Sequence, residues 1–255
     1  MGVRWNIRHK AETVSTNLDA RAGVHGDVFT AAFQTAGRGR LDHTWLSAPG
    51  ENLMLSAVVF VGDCSPERVA TLPIVTGLAV IEGLTPFLQG LSPFLSAEGP
   101  FPSRLGGLSL KWPNDVLYAG RKLAGILCER HGDHVILGLG VNVNQMEFAP
   151  EIENKAISLA RLKGPVPVPE VRDAVLACLG RAYEVWLDGG LSPFLTRLEE
   201  LDFLRGRTIA VKQTDDDAEP IQGLCKGIAA DGSLLVGDRS IYAGEAHVNS
   251  SQWYG

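Results

Sequence analysis

A segment rich in glycine and arginine is the first part of the sequence that could do chemistry. Residues 34–40 read Gln-Thr-Ala-Gly-Arg-Gly-Arg and lead to Trp45. Glycines let a backbone approach an anion closely, and the guanidinium forks of Arg38 and Arg40 can grip carboxylate or phosphate oxygens. The glycine spacing matches neither a dinucleotide fingerprint nor a Walker loop. An anion-binding loop is one interpretation, and an exposed basic turn is the other.

Three alternating charges form a second candidate site. Residues 111–116 read Lys-Trp-Pro-Asn-Asp-Val, and Lys122 and Gly125 follow. A turn at the Pro-Asn pair would project Lys111 and Asp115 from a strand end, and a short hairpin would return Lys122 toward them. A carboxylate between two lysines can neutralise or redistribute charge, although each residue alone is typical of a solvated turn.

Two further segments carry short polar or small residues. Ser15, Thr16 and Asn17 precede a helical pattern, so they indicate either a helix N-cap or a cluster of donors and acceptors for a neutral polar ligand group. Residues 138–144 read Gly-Leu-Gly-Val-Asn-Val-Asn, and small residues in a strand permit close approach of a flat ligand or of another backbone. Local packing is the simpler interpretation of both segments.

Other kinds of site lack their sequence signatures. The histidines, at positions 9, 25, 43, 131, 134 and 247, show no paired metal-ligand spacing, so no dedicated metal site is predicted. The four cysteines lie far apart without a Cys-X-X-Cys pair, which fits a reducing cytoplasm. Neither a Gly-X-Ser-X-Gly elbow nor a cysteine-nucleophile signature occurs, so covalent catalysis by the protein is not indicated.

Composition places the chain among ordinary soluble proteins. Its 255 residues are 45% hydrophobic and 20% charged, and the formal net charge of −6 disfavours a general nucleic-acid binder. We find no apolar run that reaches the roughly 18 to 20 residues needed to span a bilayer, and no signal-peptide pattern at the N-terminus. We expect a cytoplasmic protein that binds neither membrane nor DNA, with one large domain and a small appendage.

Strands and helices must position the candidate residues. Asp27–Gln34 and residues 52–61 are typical of strands, and they flank the glycine-arginine segment. A helix begins after Ser65 and should kink or restart at Pro73. Residues 85–107, rich in proline and glycine, predict a long irregular surface loop.

The second half of the chain changes pattern. From Leu108 the sequence predicts an antiparallel meander of three short strands. Residues 170–188 predict the clearest helix, and a shorter helix follows Ser192. After Gly206, four or five short strands separated by Asp- or Gly-containing turns, one of them at residues 215–217, predict a small β-barrel of about 50 residues.

Together these segments resemble the biotin protein ligase family, also called the biotin-[acetyl-CoA-carboxylase] ligases. The matching order is Ser15 to Asn17, residues 34–40 with Trp45, residues 111–116, Lys122 with Gly125, and residues 138–142. The likeness runs from about residue 10 to the C-terminus. Its most specific parts are the Gly-Arg-Gly-Arg loop and the Lys-Trp-Pro-Asn-Asp-Val segment.

The resemblance implies an α/β (α+β) fold in two domains. Residues 1–202 would form a catalytic domain related to class II aminoacyl-tRNA synthetases, with a mixed or antiparallel sheet, and residues 203–255 an SH3-like β-barrel. It also implies an enzyme that joins biotin to ATP, with Mg²⁺, and releases pyrophosphate. The biotinyl group would then pass from biotinyl-5′-AMP to a lysine of the biotin carboxyl carrier protein, a subunit of acetyl-CoA carboxylase.

The resemblance assigns roles residue by residue. By similarity, the biotin site comprises Ser15, Thr16, Asn17, Gln34, Gly37, Arg38, Lys122 and Gly125. The ATP or adenylate site comprises Arg38, Arg40, Trp45, Asn114, Lys122 and Asn142, and the catalytic residues are Arg40, Lys111, Asp115 and Lys122. The arginines should close over the adenylate, Lys122 should hold carboxylate and phosphate oxygens, and Asp115 should orient the acceptor lysine.

The sequence departs from the family pattern at two places. Residues 154–158 lack the aromatic residue that some members place over adenine, which leaves Phe148 or Met146. Only 14 residues precede Ser15, fewer than an N-terminal helix-turn-helix needs, so we expect no DNA-binding repressor domain.

Two alternative functions stay open. One is a lipoate-protein ligase or octanoyl transferase of related fold, and the other is a biotin- or adenylate-binding module without turnover. A homodimer is also expected to be possible, because relatives pair through an exposed sheet.

Overall fold

A computed structural model describes residues 2–40, 43–91, 107–213 and 219–248. These residues form a mixed α/β fold with two sheets, one of seven strands and one of five. The seven-stranded sheet comprises β1 (Asn6–Thr13), β2 (Asp27–Gln34), β3 (Leu53–Phe60), β4 (Leu108–Lys111), β5 (Asp115–Tyr118), β6 (Arg121–His131) and β7 (His134–Val141). Its spatial order is β1-β2-β3-β7-β6-β5-β4.

The two strands predicted around the glycine-arginine segment are confirmed. β2 has the predicted bounds, and β3 differs from residues 52–61 only at its ends. β3 is buried along its length except at Phe60, because β2 and β7 flank it and side chains cover both faces. β1 has no counterpart in the sequence prediction. Its residues are almost all exposed, so they give no apolar alternation, and it pairs in parallel with β2 at the sheet edge.

The predicted meander is present but has four strands rather than three. The Pro-Asn turn is itself a hairpin, in which β4 and β5 pair and Lys111 lies opposite Asp115. β5 then pairs with β6, and β6 with β7, all antiparallel. The sequence prediction missed a strand because β4 and β5 have only four residues each.

Helices cover the sheet unequally. They are α1 (Thr16–Ala20), α2 (Pro66–Val69), α3 (Leu72–Leu84), α4 (Leu159–Lys163), α5 (Val168–Gly189) and α6 (Leu195–Leu201), with 3₁₀ turns at Thr85–Leu88 and Ser192–Phe194. Ser65 caps α2 by accepting a hydrogen bond from the Arg68 amide, and Pro73 stands in the first turn of a new helix, α3. The predicted restart at Pro73 and the helix over residues 170–188 are therefore confirmed.

The helical segment Pro66–Leu88 corrects one expectation from the sequence. By length and composition it could cross a membrane, with a mean hydropathy of 1.5, although we predicted no such segment. In the fold 72% of its most apolar 18-residue window is buried. α3 packs so tightly on α5 that a Cβ atom added at Gly83 would lie 2.8 Å from the Val175 Cα. The apolar part of the segment, α3, is therefore a core helix of the fold.

Among the helices of the described residues, α1 packs on the opposite face of the sheet, where it contacts β2, β3 and β7. Ala20 packs there with Val58 and Ile136 in a small separate cluster. Since side chains alternate along a strand, Ser56 and Gly138 lie on the same face as Val58 and Ile136. This lightly covered face leaves room for a cavity.

The C-terminal sheet is open in the described residues, where the sequence predicted a barrel. Its strands are β8 (Thr208–Lys212), β9 (Ile221–Ile228), β10 (Leu234–Val236), β11 (Arg239–Ile241) and β12 (Glu245–Val248), in the order β11-β10-β9-β8-β12. The turn predicted at residues 215–217 and most of the loop predicted at 85–107 lie outside the described residues.

The two sheets share one hydrophobic core. Trp112, in the middle of the charged segment, donates its indole N–H to the Gly232 carbonyl of the C-terminal sheet at 3.0 Å. Leu110 forms an isolated bridge with Asp202, and the Phe203 amide donates to the Leu110 carbonyl at 2.9 Å. The strand that carries Lys111 is therefore held by contacts to the segment after α6 and, through the adjacent Trp112, to the C-terminal sheet.

Candidate active site

A cavity of about 200 Å³ lies on the α1 face of the large sheet. It brings together twelve of the predicted site residues, namely Ser15, Thr16, Asn17, Gln34, Arg38, Arg40, Trp45, Lys111, Asn114, Asp115, Lys122 and Gly125. They come from three stretches that are far apart in the sequence. Arg40 and Lys122, in particular, face one space.

One end of the cavity is a neutral hydrogen-bonding network. Gln34 Oε1 accepts from the Thr16 amide at 2.7 Å and lies 3.1 Å from the Thr16 hydroxyl. The Ser56 hydroxyl lies 2.7 Å from Thr16 Oγ1 and 2.6 Å from Asn17 Oδ1. Ser15 stands at the N-cap of α1, but its side chain makes no capping hydrogen bond. The N-cap interpretation therefore predicts the position of Ser15 correctly, but the Ser15 side chain does not act as a cap.

The sequence analysis missed Ser56, which sits in the centre of this network. It is fully buried in β3, between apolar neighbours. The sequence offered one indication, a single hydroxyl in an otherwise apolar strand. A buried hydroxyl needs a hydrogen-bond partner, so Ser56 could have been predicted to contact another polar residue.

Glu129 is a second residue that the sequence analysis missed. Its Oε2 accepts from Asn17 Nδ2 at 2.6 Å, and its Oε1 lies 2.9 Å from Arg38 Nη1. One carboxylate thus fixes the amide orientation of Asn17 and holds Arg38 at the cavity edge. The sequence indication was weak, because Glu129 follows the apolar run of β6 and precedes Arg130 and His131, where a charged residue is ordinary.

Glycines form the wall where Trp45 packs. A Cβ atom added at Gly140 would lie 2.4 Å from the Trp45 ring, and one at Gly125 would lie 3.0 Å from it. At Gly138 it would lie 2.3 Å from Asn17 Oδ1. The small residues of β6 and β7 therefore admit two side chains of the site. The indole N–H of Trp45 is buried and has no hydrogen-bond partner.

Charged residues form the other end of the cavity. Lys122 Nζ lies 2.7 Å from Asp115 Oδ1, and the same ammonium sits 5.7 Å from the Trp45 ring centroid. Arg40 Nη1 donates to Asn114 Oδ1 at 3.3 Å, while Asn114 Nδ2 donates to the Ile126 carbonyl at 2.7 Å. The predicted return of Lys122 to Asp115 through a hairpin is confirmed by this geometry.

Burial sets the electrostatics of the charged end. Burial lowers the pKa of Lys111, and Asp115 opposes this effect in part, while Lys122 adds to it. Burial likewise lowers the pKa of Arg40, again opposed by Asp115. Arginine stays protonated in proteins, so Arg40 keeps an incompletely compensated charge. An anion entering this space would relieve the cost of desolvating these cations.

Two predicted residues do not reach the cavity wall. Gly37 is covered by the Trp45 backbone, because an added Cβ would lie 2.4 Å from the Trp45 carbonyl oxygen. Asn142 is buried, and its Nδ2 donates to the carbonyls of Ile157 at 3.1 Å and Lys122 at 3.3 Å. In this structure Gly37 and Asn142 support the loop and the Lys122 backbone.

The C-terminal sheet also contributes to the cavity, which the sequence did not indicate. Glu245 and His247 of β12 line it, together with Gly244 and Ala246. Glu245 Oε1 lies 3.1 Å from Nε2 of His43, a residue of the loop that follows Arg40. No sequence signal links positions 43 and 245, because they are 202 residues apart.

This arrangement can bind a molecule with a neutral polar group at one end and an acid at the other. The network around Thr16 recognises the neutral group, and Arg40, Lys111 and Lys122 neutralise anionic oxygens. In the described part of the chain, no three His, Cys, Asp or Glu side chains cluster as metal ligands. Asp115 and Glu245 supply the carboxylates among the described lining residues.

Comparison with known proteins agrees with this chemistry. Residues 9–142 match the biotin/lipoate A/B protein ligase family. The chain is 39% identical to the biotin–[acetyl-CoA-carboxylase] ligase of Mycobacterium tuberculosis over 164 residues, which are 62% of this chain and 56% of that one. It is 30% identical to the bifunctional ligase/repressor BirA of Escherichia coli over 219 residues, or 83% of this chain and 61% of that one. Each match therefore spans less than two thirds of the relative.

A solved structure resembles almost the whole chain. It is the biotin protein ligase from Aquifex aeolicus in complex with biotin and ATP, with a TM-score of 0.78 and 27% identity. The match covers 96% of this chain and 98% of that one.

Proposed function

Because the chain belongs to the biotin/lipoate A/B protein ligase family, we propose that it is an ATP-dependent biotin–protein ligase. It joins biotin to ATP, releases pyrophosphate, and transfers the biotinyl group from biotinyl-5′-AMP to a lysine of the biotin carboxyl carrier protein. One observation carries the proposal: Arg40, Lys111 and Lys122 meet in one cavity beside a neutral hydrogen-bonding pocket.

Biotin fits the two ends of the cavity. Its ureido group would meet Ser15, Thr16, Asn17 and Gln34, with Ser56 holding two of these in place. Its carboxylate would then lie toward Arg38 and Lys122. Gly125 would keep the wall open, and Gly37 would shape the loop beneath Trp45.

Adenylation couples two anions, so charge neutralisation is the main requirement. A biotin carboxylate oxygen attacks the α-phosphorus of ATP, and the bond to the pyrophosphate oxygen breaks. Arg40, Lys111 and Lys122 would stabilise the charge that builds up on the phosphoryl oxygens, and one such donor is worth about 10²–10³ in rate. Mg²⁺ prefers phosphate oxygens and water with one or two carboxylates. This preference is compatible with the cavity, whose described lining has two carboxylates and no cluster of three protein ligands for a metal ion.

Transfer needs the acceptor amine to reach the biotinyl carbonyl carbon. The amine attacks that carbon, the bond to the AMP oxygen breaks, and AMP leaves. Asp115 would orient the amine, because it faces the same space as Lys122.

The glycine-arginine loop would protect the mixed anhydride from water. Arg38 is held by Glu129 in this structure, so movement toward the adenylate exchanges one anionic partner for another. Asn114, Trp45 and Asn142 stay predictions on the nucleotide side. The side chain of Phe148 is covered by the Arg161 guanidinium, 4.8 Å from the ring centroid.

The finer architecture is part of the proposal. Residues 1–202 would be the catalytic domain related to class II aminoacyl-tRNA synthetases, and residues 203–255 the SH3-like barrel. The junction at Asp202 and Phe203, where the chain leaves α6, supports this division. A cytoplasmic location, homodimer formation and the absence of DNA binding stay predictions.

Labelling of an acceptor tests the function directly. The purified chain is mixed with radioactive biotin, ATP, Mg²⁺ and a carrier domain, with lipoate and octanoate as competitors. We expect one labelled lysine, dependence on ATP, and competition by unlabelled biotin alone. Adenylate without labelled carrier would favour a binding module, and competition by lipoate would favour the lipoate-ligase alternative.

A further inference from the structure

The two carboxylates of the described cavity wall differ in their partners. Asp115 is paired with the ammonium of Lys122 at 2.7 Å. Glu245 instead has two histidines within ion-pair distance, with His43 Nε2 at 3.1 Å from Oε1 and His247 Nε2 at 3.8 Å from Oε2. The Glu245 side chain is 36% exposed. Arg40 and Lys111 also interact with Glu245 electrostatically, but Glu245 is more exposed than Asp115, whose side chain is 20% exposed, so a cation from solvent can reach it more readily.

Glu245 and His247 lie at the charged end of the cavity. The neutral network reaches Gly138 through Asn17, and the glycine wall then leads through Trp45 to Lys122 and Asp115. Asp115 faces Lys111 across the hairpin.

Beyond this hairpin lies β12. Lys111 interacts electrostatically with both Glu245 and His247. The His247 side chain is 61% exposed, so this end opens to solvent. A carrier protein has to present its lysine from the solvent side.

The charge of Glu245 selects a cation. The Glu245 carboxylate repels phosphate groups, which would bind to the cations Arg40 and Lys122. The acceptor lysine arrives as an ammonium at neutral pH, because its ordinary pKa is about 10.4. It must lose one proton before its nitrogen can attack.

We propose that Glu245 and His247 receive the acceptor lysine, Glu245 by pairing with its ammonium and His247 Nε2 by taking its proton, before Asp115 orients the neutral amine toward the biotinyl carbonyl carbon. The proposal rests on the proposed ligase function. The proton moves from the lysine Nζ to the imidazole, and the freed electron pair forms the bond to the biotinyl carbonyl carbon. The carbonyl-to-AMP oxygen bond breaks, and AMP leaves with its electron pair. The new amide nitrogen loses its second proton to solvent, and the imidazolium returns the first proton there.

The surroundings of His247 keep the imidazole neutral. Burial lowers its pKa, nearby Lys111 lowers it further, and Glu245 opposes both. These two charged groups face His247 from β4 and from its own strand, and His43 lies across Glu245. A neutral imidazole at pH 7 is a proton acceptor.

Transfer can be measured apart from adenylation. Purified biotinyl-5′-AMP is supplied to the full chain with a carrier domain, and labelling is followed in a single turnover. We expect His247→Gln to slow transfer by about 100-fold, as general-base loss does, and because the adenylate is supplied, any change in adenylation does not enter this rate. We expect Glu245→Gln to raise the carrier concentration for half-maximal rate by about 2- to 5-fold, because an exposed charge pair contributes at most about 1 kcal/mol. His131→Gln and Glu151→Gln, both at exposed positions, are matched controls.

Two readouts separate proton transfer from structural damage. Added 4-methylimidazole should restore transfer in His247→Ala and should not affect His131→Ala. In the wild type, the transfer rate should fall as pH drops through the pKa of His247 and level off above it. In His247→Gln the rate should keep rising with pH, since only solvent removes the proton.

Three results would overturn the assignment. They are wild-type transfer by His247→Gln, a pH profile unchanged in that variant, and a higher Mg²⁺ requirement for adenylation in Glu245→Gln with unchanged transfer. The third result would make Mg²⁺ the cation at Glu245. Failure of the ligase function itself looks different, because the wild-type chain would then form no adenylate from biotin and ATP.

Discussion

The two ends of the cavity are built in opposite ways. At the neutral end, Thr16, Asn17 and Ser56 are buried, and their polar atoms bond to each other and to Gln34. At the charged end, Arg40 and Lys111 are cations whose pKa values burial lowers, and Asp115 compensates them only in part. The polar groups of the neutral end already have hydrogen-bond partners without a ligand. The cations of the charged end need an anionic ligand to balance their charge. Recognition and chemistry are thus separated along one cavity.

Removal of Lys122 should have the largest effect on activity. Lys122→Ala removes the ammonium paired with Asp115, and we expect adenylate formation to fall by about 10²–10³, as loss of one oxyanion-stabilising donor does. Biotin binding should weaken much less, because the neutral end is intact. Pyrophosphate exchange and calorimetry measure the two effects, with the exposed Lys163→Ala as control. Equal losses in both assays would remove the distinction between the ends.

Arg40→Ala should act mainly on retention of the intermediate. Without this guanidinium we expect biotinyl-5′-AMP to dissociate about 10- to 100-fold faster, since a charge-assisted contact of about 1.5 to 3 kcal/mol is lost. Arg40→Lys should recover only part of the effect, because the planar fork is absent. Release of labelled adenylate is the measurement. A wild-type release rate in Arg40→Ala would place Arg40 outside the adenylate contacts.

Gly138→Ala should damage the neutral end selectively. The added Cβ would lie 2.3 Å from Asn17 Oδ1, so the Asn17 amide must shift, and overpacking of this kind costs about 1–3 kcal/mol. We expect biotin affinity to fall about 10-fold. Gly180→Ala is the control, because its new Cβ meets its nearest atom at 3.4 Å. Unchanged biotin affinity in Gly138→Ala would show that the Asn17 position is not used.

Ser56→Ala should have a smaller effect on the same end. It removes the hydroxyl between Thr16 and Asn17, and one hydrogen bond of this kind is worth about 1 kcal/mol. Biotin affinity should therefore fall about 5-fold. Thr76→Val removes a buried hydroxyl that has no hydrogen-bond partner, so it should leave biotin affinity unchanged. Equal calorimetric results for the two variants would contradict a preformed network.

Asp202 should affect stability more than catalysis. Burial raises its pKa to about 6 from an ordinary 3.8, so the folded state holds an extra proton between these values. Stability is full below about pH 4 and falls as pH rises through 6, by roughly 3 kcal/mol in total. Asp202→Asn should flatten this dependence in denaturant melts from pH 4 to 8. An unchanged slope would mean that the carboxylate is not the titrating group.

The sequence predicts the charged end better than its surroundings. Lys111, Asp115 and Lys122 share a short meander, so local turn chemistry alone brings them together. The Gly-Arg-Gly-Arg loop is likewise local. In contrast, β1 is exposed and polar, so it lacks the periodicity by which strands are recognised.

Long-range partners are the part that the sequence does not reveal. Glu129 meets Asn17 across 112 positions, and Glu245 meets His43 across 202. Such pairs depend on strand order and on the packing of the second sheet, which no local pattern encodes. Closure of the predicted barrel stays a prediction for the same reason, because it depends on pairing between distant edges, and the described strands form an open sheet.

The affinity of a non-hydrolysable biotinyl-adenylate analogue tests the convergence of Arg40 and Lys122 most directly. Calorimetry on the wild type, Arg40→Ala, Lys122→Ala and the double variant gives a double-mutant cycle. If both cations hold the same anionic group, the two losses should be coupled by about 1 kcal/mol or more. Losses that add within about 0.4 kcal/mol would contradict a shared site.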